Sequence, residues 1–180
     1  VVDFVDGTRL VYTDPRRFGM MDLIRPGESH KLLKHLGPEP LGENWSGTRL
    51  HGSIRDRHVS IKSALLNQQI VVGIGNIYAS EILFRSGISP KRLAKNISLN
   101  MANEIYRQTQ HVLLTAIEAG GSTLKDGQFK QLDGDLGYFP HEFAVYDREG
   151  EICVDPNCGK MVKKLVQSGR STFYCSGCQR

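Results

Sequence analysis

The chain has 180 residues, 39% of them hydrophobic, with 23 Lys and Arg against 19 Asp and Glu. The formal net charge is +4 and the pI about 8.9, a mild basic excess that permits a polyanionic partner without requiring one. Such a length holds one domain or two small ones, no run reaches the length of a membrane-spanning helix, and the first residues lack the basic start of a secretory leader.

Taken in order, Val1–Ile24 reads as strands. Val2 and Phe4, then Leu10 and Tyr12, alternate with polar residues on either side of Asp6-Gly7, a hairpin turn pair. A lone hairpin does not hold itself together, and a chain that opens straight into a strand is expected to be the tail of something longer. Asp14-Pro15-Arg16-Arg17-Phe18-Gly19 follows. Its arginines and ring suit contact with bases in a disturbed duplex, but the plainer reading of the hexapeptide alone is a turn with Phe18 packed inward. Pro26-Gly27 marks a linker. Lys31–Leu36 is expected to form a short helix closed by Gly37, which Pro38 and Pro40 cannot continue.

A helical region is expected from about Ser46 to Gly120, centred on Ile61–Ile88. Ile61, Leu65 and Leu66 recur at helical spacing with Lys62 on another face, and Ile77, Ile82 and Leu83 form a second stripe stopped by Gly87. Between them, Gly73-Ile74-Gly75-Asn76 turns sharply, with Asn76 as the expected N-cap. A helix N-terminus there is able to hold a phosphate; equally, the glycines serve only to let two buried helices pack closely. Ser98–Ala119 reads as a long helix capped by Ser98, with Met101, Ile105, Val112, Leu113 and Ile117 on its apolar face. His111 on that helix has no partner at metal spacing. Gly120–Phe139 is glycine-rich, polar and long for a connection, hence a functional loop or a tether.

All four cysteines fall in the last 28 residues, as C-x4-C-x16-C-x2-C from Cys153, Cys158, Cys175 and Cys178. Two close thiol pairs across a loop suit one tetrahedral structural Zn2+, and four cysteine ligands leave no open catalytic position. Two disulfides would need an oxidising compartment, for which there is no signal, so the cytoplasm is expected. Met161–Gln167 and Arg170–Tyr174 read as the strands of a zinc ribbon turning at Ser168-Gly169, with Arg170 at the tip where a guanidinium grips phosphate.

In this order, DPRRFG, GIGNIYASE, GGSTLKD, GYF and GRSTFYCSGCQ resemble the C-terminal two-thirds of the bacterial formamidopyrimidine-DNA glycosylase family. Each motif is weak alone; five in order are specific. The resemblance implies an enzyme that excises 8-oxoguanine and formamidopyrimidines and then cleaves the abasic strand. It implies an α+β fold: an N-terminal β-sandwich, of which a remnant is present, a helix-two-turn-helix domain and a C-terminal zinc ribbon. Lys62, Asn76 and Arg170 would clamp phosphates around the lesion, Arg16 would fill the void left by the flipped base, and Phe18 would wedge beside it. Ser122, Thr123, Asp135 and Tyr138 would belong to the loop over the damaged base, and the four cysteines would bind zinc.

The domains are then expected at residues 1–25 (strands of the sandwich), 26–45 (linker with a short helix), 46–140 (helix-two-turn-helix with the lesion loop) and 141–180 (zinc ribbon). The expected partner is double-stranded DNA carrying oxidised purines or abasic sites, bound by a monomer associated with the bacterial nucleoid and not with a membrane. This sequence departs from the family pattern in three ways. The first cysteine pair is spaced by four residues where many relatives have two, and Asp135 stands where some relatives have lysine. The family's N-terminal proline, whose amine attacks the sugar, and its adjacent glutamate match no residue here, so this chain is expected to bind damaged DNA without cutting it. The alternatives are an endonuclease VIII-like glycosylase for oxidised pyrimidines, a non-enzymatic zinc-dependent DNA-binding module, and a zinc-ribbon interaction domain.

Overall fold

The computed structural model describes residues 1–14, 17–122 and 143–180, which divide into two compact units, Val1–Lys34 and His35–Arg180. In the first unit the expected hairpin forms but stays short. β1 (Val2–Asp3) pairs antiparallel with β2 (Arg9–Leu10), Val2 opposite Leu10, and Gly7 turns the loop at φ 86°. The alternation beyond Leu10 makes no further strand among the described residues, because a ladder needs a neighbour to pair with. The helix expected over Lys31–Leu36 is absent too. His30 organises turns there instead: its carbonyl accepts from the Leu33 N–H and its Nδ1 from the Leu32 N–H. Six residues do not repay the cost of helix nucleation without a packed face.

Gly37 is not a helix stop. Its N–H donates to Gln68 O at 2.7 Å, and a Cβ there would meet the Ile70 carbonyl carbon at 2.7 Å, so glycine is needed for backbone to lie on backbone.

The second unit carries α1 (Gly47–Ile54), α2 (Ile61–Leu65), α3 (Asn76–Arg85) and α4 (Leu99–Glu118), then a hairpin of β3 (Val162–Gln167) and β4 (Arg170–Cys175). Serine caps start three of the helices: the Ser46, Ser60 and Ser98 hydroxyls accept from the Arg49, Ser63 and Met101 N–H groups. Each cap is worth about 1 kcal/mol. Glycines end α3 and α4, Gly87 as expected. At Gly87 (φ 67°) the N–H of Ile88 reaches Leu83 O and that of Gly87 reaches Phe84 O, and Gly120 repeats the pattern after α4.

Trp45, Leu50, Ile54, Ile61, Leu65, Ile74, Ile82, Leu83, Ile97, Ile105 and Val112 form one core, in which burial of each large aliphatic side chain contributes about 1.5–3 kcal/mol. The buried stripe of α4 is Ala102, Ile105, Thr109, Val112 and Ala116, whereas Ile117 is 64% exposed. Of the expected face, Ile105 and Val112 are buried as read, but Ala102, Thr109 and Ala116 complete the stripe in place of Leu113 and Ile117, because small residues let α1 and α3 press close against α4. His111 is exposed.

The hairpin turns at Ser168-Gly169, both at positive φ, with Gln167 opposite Arg170. It is tied to the helices by Gln179, which accepts from the Cys175 N–H and donates to Ile88 O, and by backbone bonds joining Arg180 to Gly87 and Ser89. A small second core of Val145, Val162 and Phe173 packs beside it.

Candidate nucleic-acid interface and metal centre

The α2–α3 corner is built by a side chain that the sequence reading passed over. Gln68 Oε1 accepts from the Gly73 N–H at 2.7 Å, while its Nε2 donates to Leu66 O and Ile74 O, holding Gly73 at φ 81°. Asn76 is not the N-cap. Gly75 holds that position with no side-chain cap, so the first N–H groups of α3 keep the orphan donors of a helix start. The Asn76 side chain is used elsewhere: Nδ2 donates to Ser171 O at 2.9 Å, and its buried Oδ1 has no hydrogen-bond partner among the described residues.

Lys62 reaches the same carbonyl. Its Nζ donates to Ser171 O at 3.0 Å and to Thr172 Oγ1 at 2.7 Å, and the side chain is only 1% exposed. Ser63 Oγ lies 3.3 Å from Ser168 Oγ in the hairpin turn. Residues 95 or more apart in sequence thus meet at one carbonyl, one residue beyond the exposed Arg170. Burial, with the Arg170 charge second, brings the Lys62 ammonium down to about 8. Such a setting makes a lysine nucleophilic, and the sequence offered no sign of it. Here, however, the amine is enclosed and already donates twice.

The cysteines converge as well. All four Sγ atoms lie within 4.8 Å of one another, with Cys153–Cys178 at 3.6 Å and Cys158–Cys175 at 3.4 Å. A disulfide would need about 2.05 Å. Thiolates held at about 2.3 Å from a tetrahedral zinc stand roughly 3.8 Å apart, close to what is seen. Burial opposes ionisation of Cys175, but the Cys178 and Gly177 N–H groups outweigh it and bring this thiol down to about 7. Burial pushes Cys178 up. A cation resolves that conflict, and the donor set fits one structural zinc whose chemistry is to hold the ribbon in shape.

Two further residues support the site. Glu81, the last residue of GIGNIYASE, is fully buried and accepts from the Ala144, Val145 and Tyr146 N–H groups at 2.8–3.0 Å. A carboxylate inside the apolar run of α3 was the available signal. Gly177 has no room for a side chain: a Cβ would sit 2.6 Å from Cys158 Sγ.

In the first unit Phe18 is 83% exposed, not packed inward. The turn that carries it is drawn round Asp14, whose carboxylate accepts from the Gly19 N–H at 2.7 Å, and Arg17 takes φ 56°. That bond, foremost, holds the Asp14 carboxyl below its usual range. Ser122 lies at the foot of the glycine-rich segment with Oγ 3.1 Å from Tyr78 Oη. Arg16, Thr123, Asp135 and Tyr138 lie outside the described residues.

These features define a helix-two-turn-helix protein closed by a four-cysteine zinc ribbon. Residues 36–128 match the formamidopyrimidine-DNA glycosylase H2TH domain, and residues 156–180 match the zinc finger found in FPG and IleRS. The formamidopyrimidine-DNA glycosylase of Cereibacter sphaeroides (strain ATCC 17029) is 50% identical over 182 residues, covering 100% of this chain and 64% of that protein. That of Ruegeria pomeroyi is 50% identical over 177 residues, covering 97% and 62%. Among solved structures, the MutM (Fpg) protein from Thermus thermophilus aligns with a TM-score of 0.86 at 42% identity, covering 92% of this chain and 62% of that one. The Lactococcus lactis Fpg, in a complex with DNA containing an abasic site, aligns with a TM-score of 0.73 at 31% identity, covering 83% and 53%. The chain belongs to the formamidopyrimidine-DNA glycosylase family. It spans about 64% of the length of the curated relatives it matches.

Proposed function

We propose that this chain is the DNA-holding part of a base-excision repair enzyme, a glycosylase and abasic-site lyase for oxidised purines. The observation that carries this reading is the convergence of Lys62, Asn76 and Arg170 at the ribbon tip. Lys62 supplies buried positive charge, Asn76 fixes the Ser171 carbonyl, and Arg170 extends outward as the hand that meets a phosphate. The zinc sets the hairpin that aims Arg170. Relatives crystallised with abasic-site and Fapy-dG DNA support a damaged duplex as the partner. Arg16 and Phe18 are assigned to the gap left by the extruded base, consistent with the exposure of Phe18. Ser122, Thr123, Asp135 and Tyr138 are assigned to the cover over that base. The domain limits at residues 25, 45 and 140 belong to the same reading.

The 180 residues by themselves bind such DNA without cutting it in this reading. The family's nucleophilic proline and its glutamate have no counterpart among them, and Lys62 is enclosed. The test of the clamp is Arg170→Ala on a duplex with a central abasic site. A phosphate contact predicts weaker binding to all duplexes alike and a salt dependence flatter by about one unit of slope. Unchanged affinity and slope would reduce Arg170 to a turn residue.

A further inference from the structure

Beside the clamp, the loop after α1 and the loop before α4 lie against each other as an antiparallel pair. The Ile61 N–H donates to Arg92 O, Ala94 to Val59 O and Lys95 to Arg57 O, at 2.8–3.1 Å, and Ser60 stands opposite Leu93. Only Ser60 and Leu93 form a bridge, and Ala94–Asn96 continues as a 3-10 turn, so direct contact rather than strand alternation joins the side chains of the two loops. Lys95 Nζ lies 3.3 Å from His58 Nδ1. Ser60 Oγ bonds Ser63 Oγ, which in turn meets Ser168 in the turn that carries Arg170. One surface therefore continues from Arg170 through three serines to His58 and Lys95.

That surface is strongly cationic. Arg55, Arg57, Lys91 and Lys95 are exposed, and Arg92 is half-buried with its Nε lacking a hydrogen-bond partner among the described residues. Residues 55–60 and 91–96 include one acid, Asp56, paired with its exposed neighbour Arg55. Arg57 is pinned by its Nε to Ser53 O at 2.9 Å, and among the described residues its terminal nitrogens make no hydrogen bond. Beyond Asp56, no acidic side chain in residues 55–60 and 91–96 offsets the repulsion among these cations. A regularly charged polyanion lying along the shelf would offset it.

We propose that Arg57, His58, Arg92 and Lys95 form a second phosphate-backbone surface, which takes the DNA duplex beyond the nucleotides held at Arg170. The proposal rests on the clamp reading above and extends its footprint. Contacts of this kind add affinity and fix the path of the duplex without reading bases.

The experiment measures affinity for a 20-base-pair abasic duplex as a function of salt, with the whole 180-residue chain. Arg57→Gln/Lys95→Gln is compared with Lys160→Gln/Lys163→Gln, which removes the same charge at the knuckle end of the ribbon. The shelf variant is expected to flatten the salt slope by roughly two units and weaken binding about tenfold or more, with the control close to the unmodified chain. Lys95→Ala alone, at an exposed position, is expected to lower the slope by about one unit, and it decides the matter if the double variant melts early. A shelf variant no different from the control, while the unmodified chain binds, would overturn this proposal alone. No salt-dependent binding by the unmodified chain would overturn the clamp reading with it.

Discussion

Lys62 bears a burial cost that a bound anion would offset. Its folded value of about 8 lies below the ordinary 10.5, so the folded chain releases this proton before the unfolded chain does. Below pH 8 both states are protonated and the burial cost, roughly 3 kcal/mol, is fully present. Between pH 8 and 10.5 that cost is progressively relieved, and this group's effect on stability improves as pH rises. An incoming phosphate favours the charged form and draws the proton back. DNA binding is therefore expected to take up protons at pH 8–9 and to weaken across that interval, by up to about tenfold per pH unit. Calorimetry in buffers of different ionisation enthalpy measures the uptake, and Lys62→Met should abolish it. Binding that is flat from pH 7 to 9.5 would show that Lys62 does not sense the anion.

At the scale of elements, the ribbon and the helices are joined by buried polar bonds as well as by the apolar contact of Phe84 with the second core. Glu81 secures the segment entering the ribbon by accepting three backbone N–H groups. Glu81→Ala leaves these donors unpaired and is expected to destabilise the second unit by about 3–5 kcal/mol, read from the midpoint of urea unfolding. A loss under 1 kcal/mol would mean that water replaces the carboxylate. Gly177→Ala tests the metal knuckle. With a Cβ 2.6 Å from Cys158 Sγ, the sulfur must move, so zinc should be lost to a chelator at much lower concentration. Zinc retention equal to that of the unmodified chain would show that the knuckle has slack. The same glycine is harmless on paper, since C-S-G-C reads only as a flexible spacer.

For the whole molecule, the expectation that the chain binds without cutting is a matter of which groups are present and where. An attacking amine must reach the sugar and hold a Schiff base. Among the described lysines the one with a lowered pKa is sealed against Ser171 and Thr172. Incubation with an 8-oxoguanine duplex and with an abasic duplex, with and without borohydride, should give no trapped adduct and no cleavage above buffer. A covalent adduct would place a working nucleophile within these residues.

Local chemistry made much of the molecule legible in advance. The cysteine spacing, the Ser98 cap, the glycine stop at 87 and the hairpin turn at Ser168-Gly169 all act within a few residues, so the sequence by itself determined them. The errors share a cause. Lys31–Leu36 lacks a face to pack, α4 adds Ala102, Thr109 and Ala116 to the buried Ile105 and Val112 where neighbouring helices press, and Asn76 leaves the capping role to reach the ribbon. The joining of Lys62 and Asn76 at one carbonyl, 109 and 95 residues from them along the chain, was left for the tertiary structure to decide. So was the burial of Lys62, which the sequence set on a face apart from the apolar stripe. Both depend on what excludes water from a side chain, and that is a property of the packed neighbours rather than of the residue.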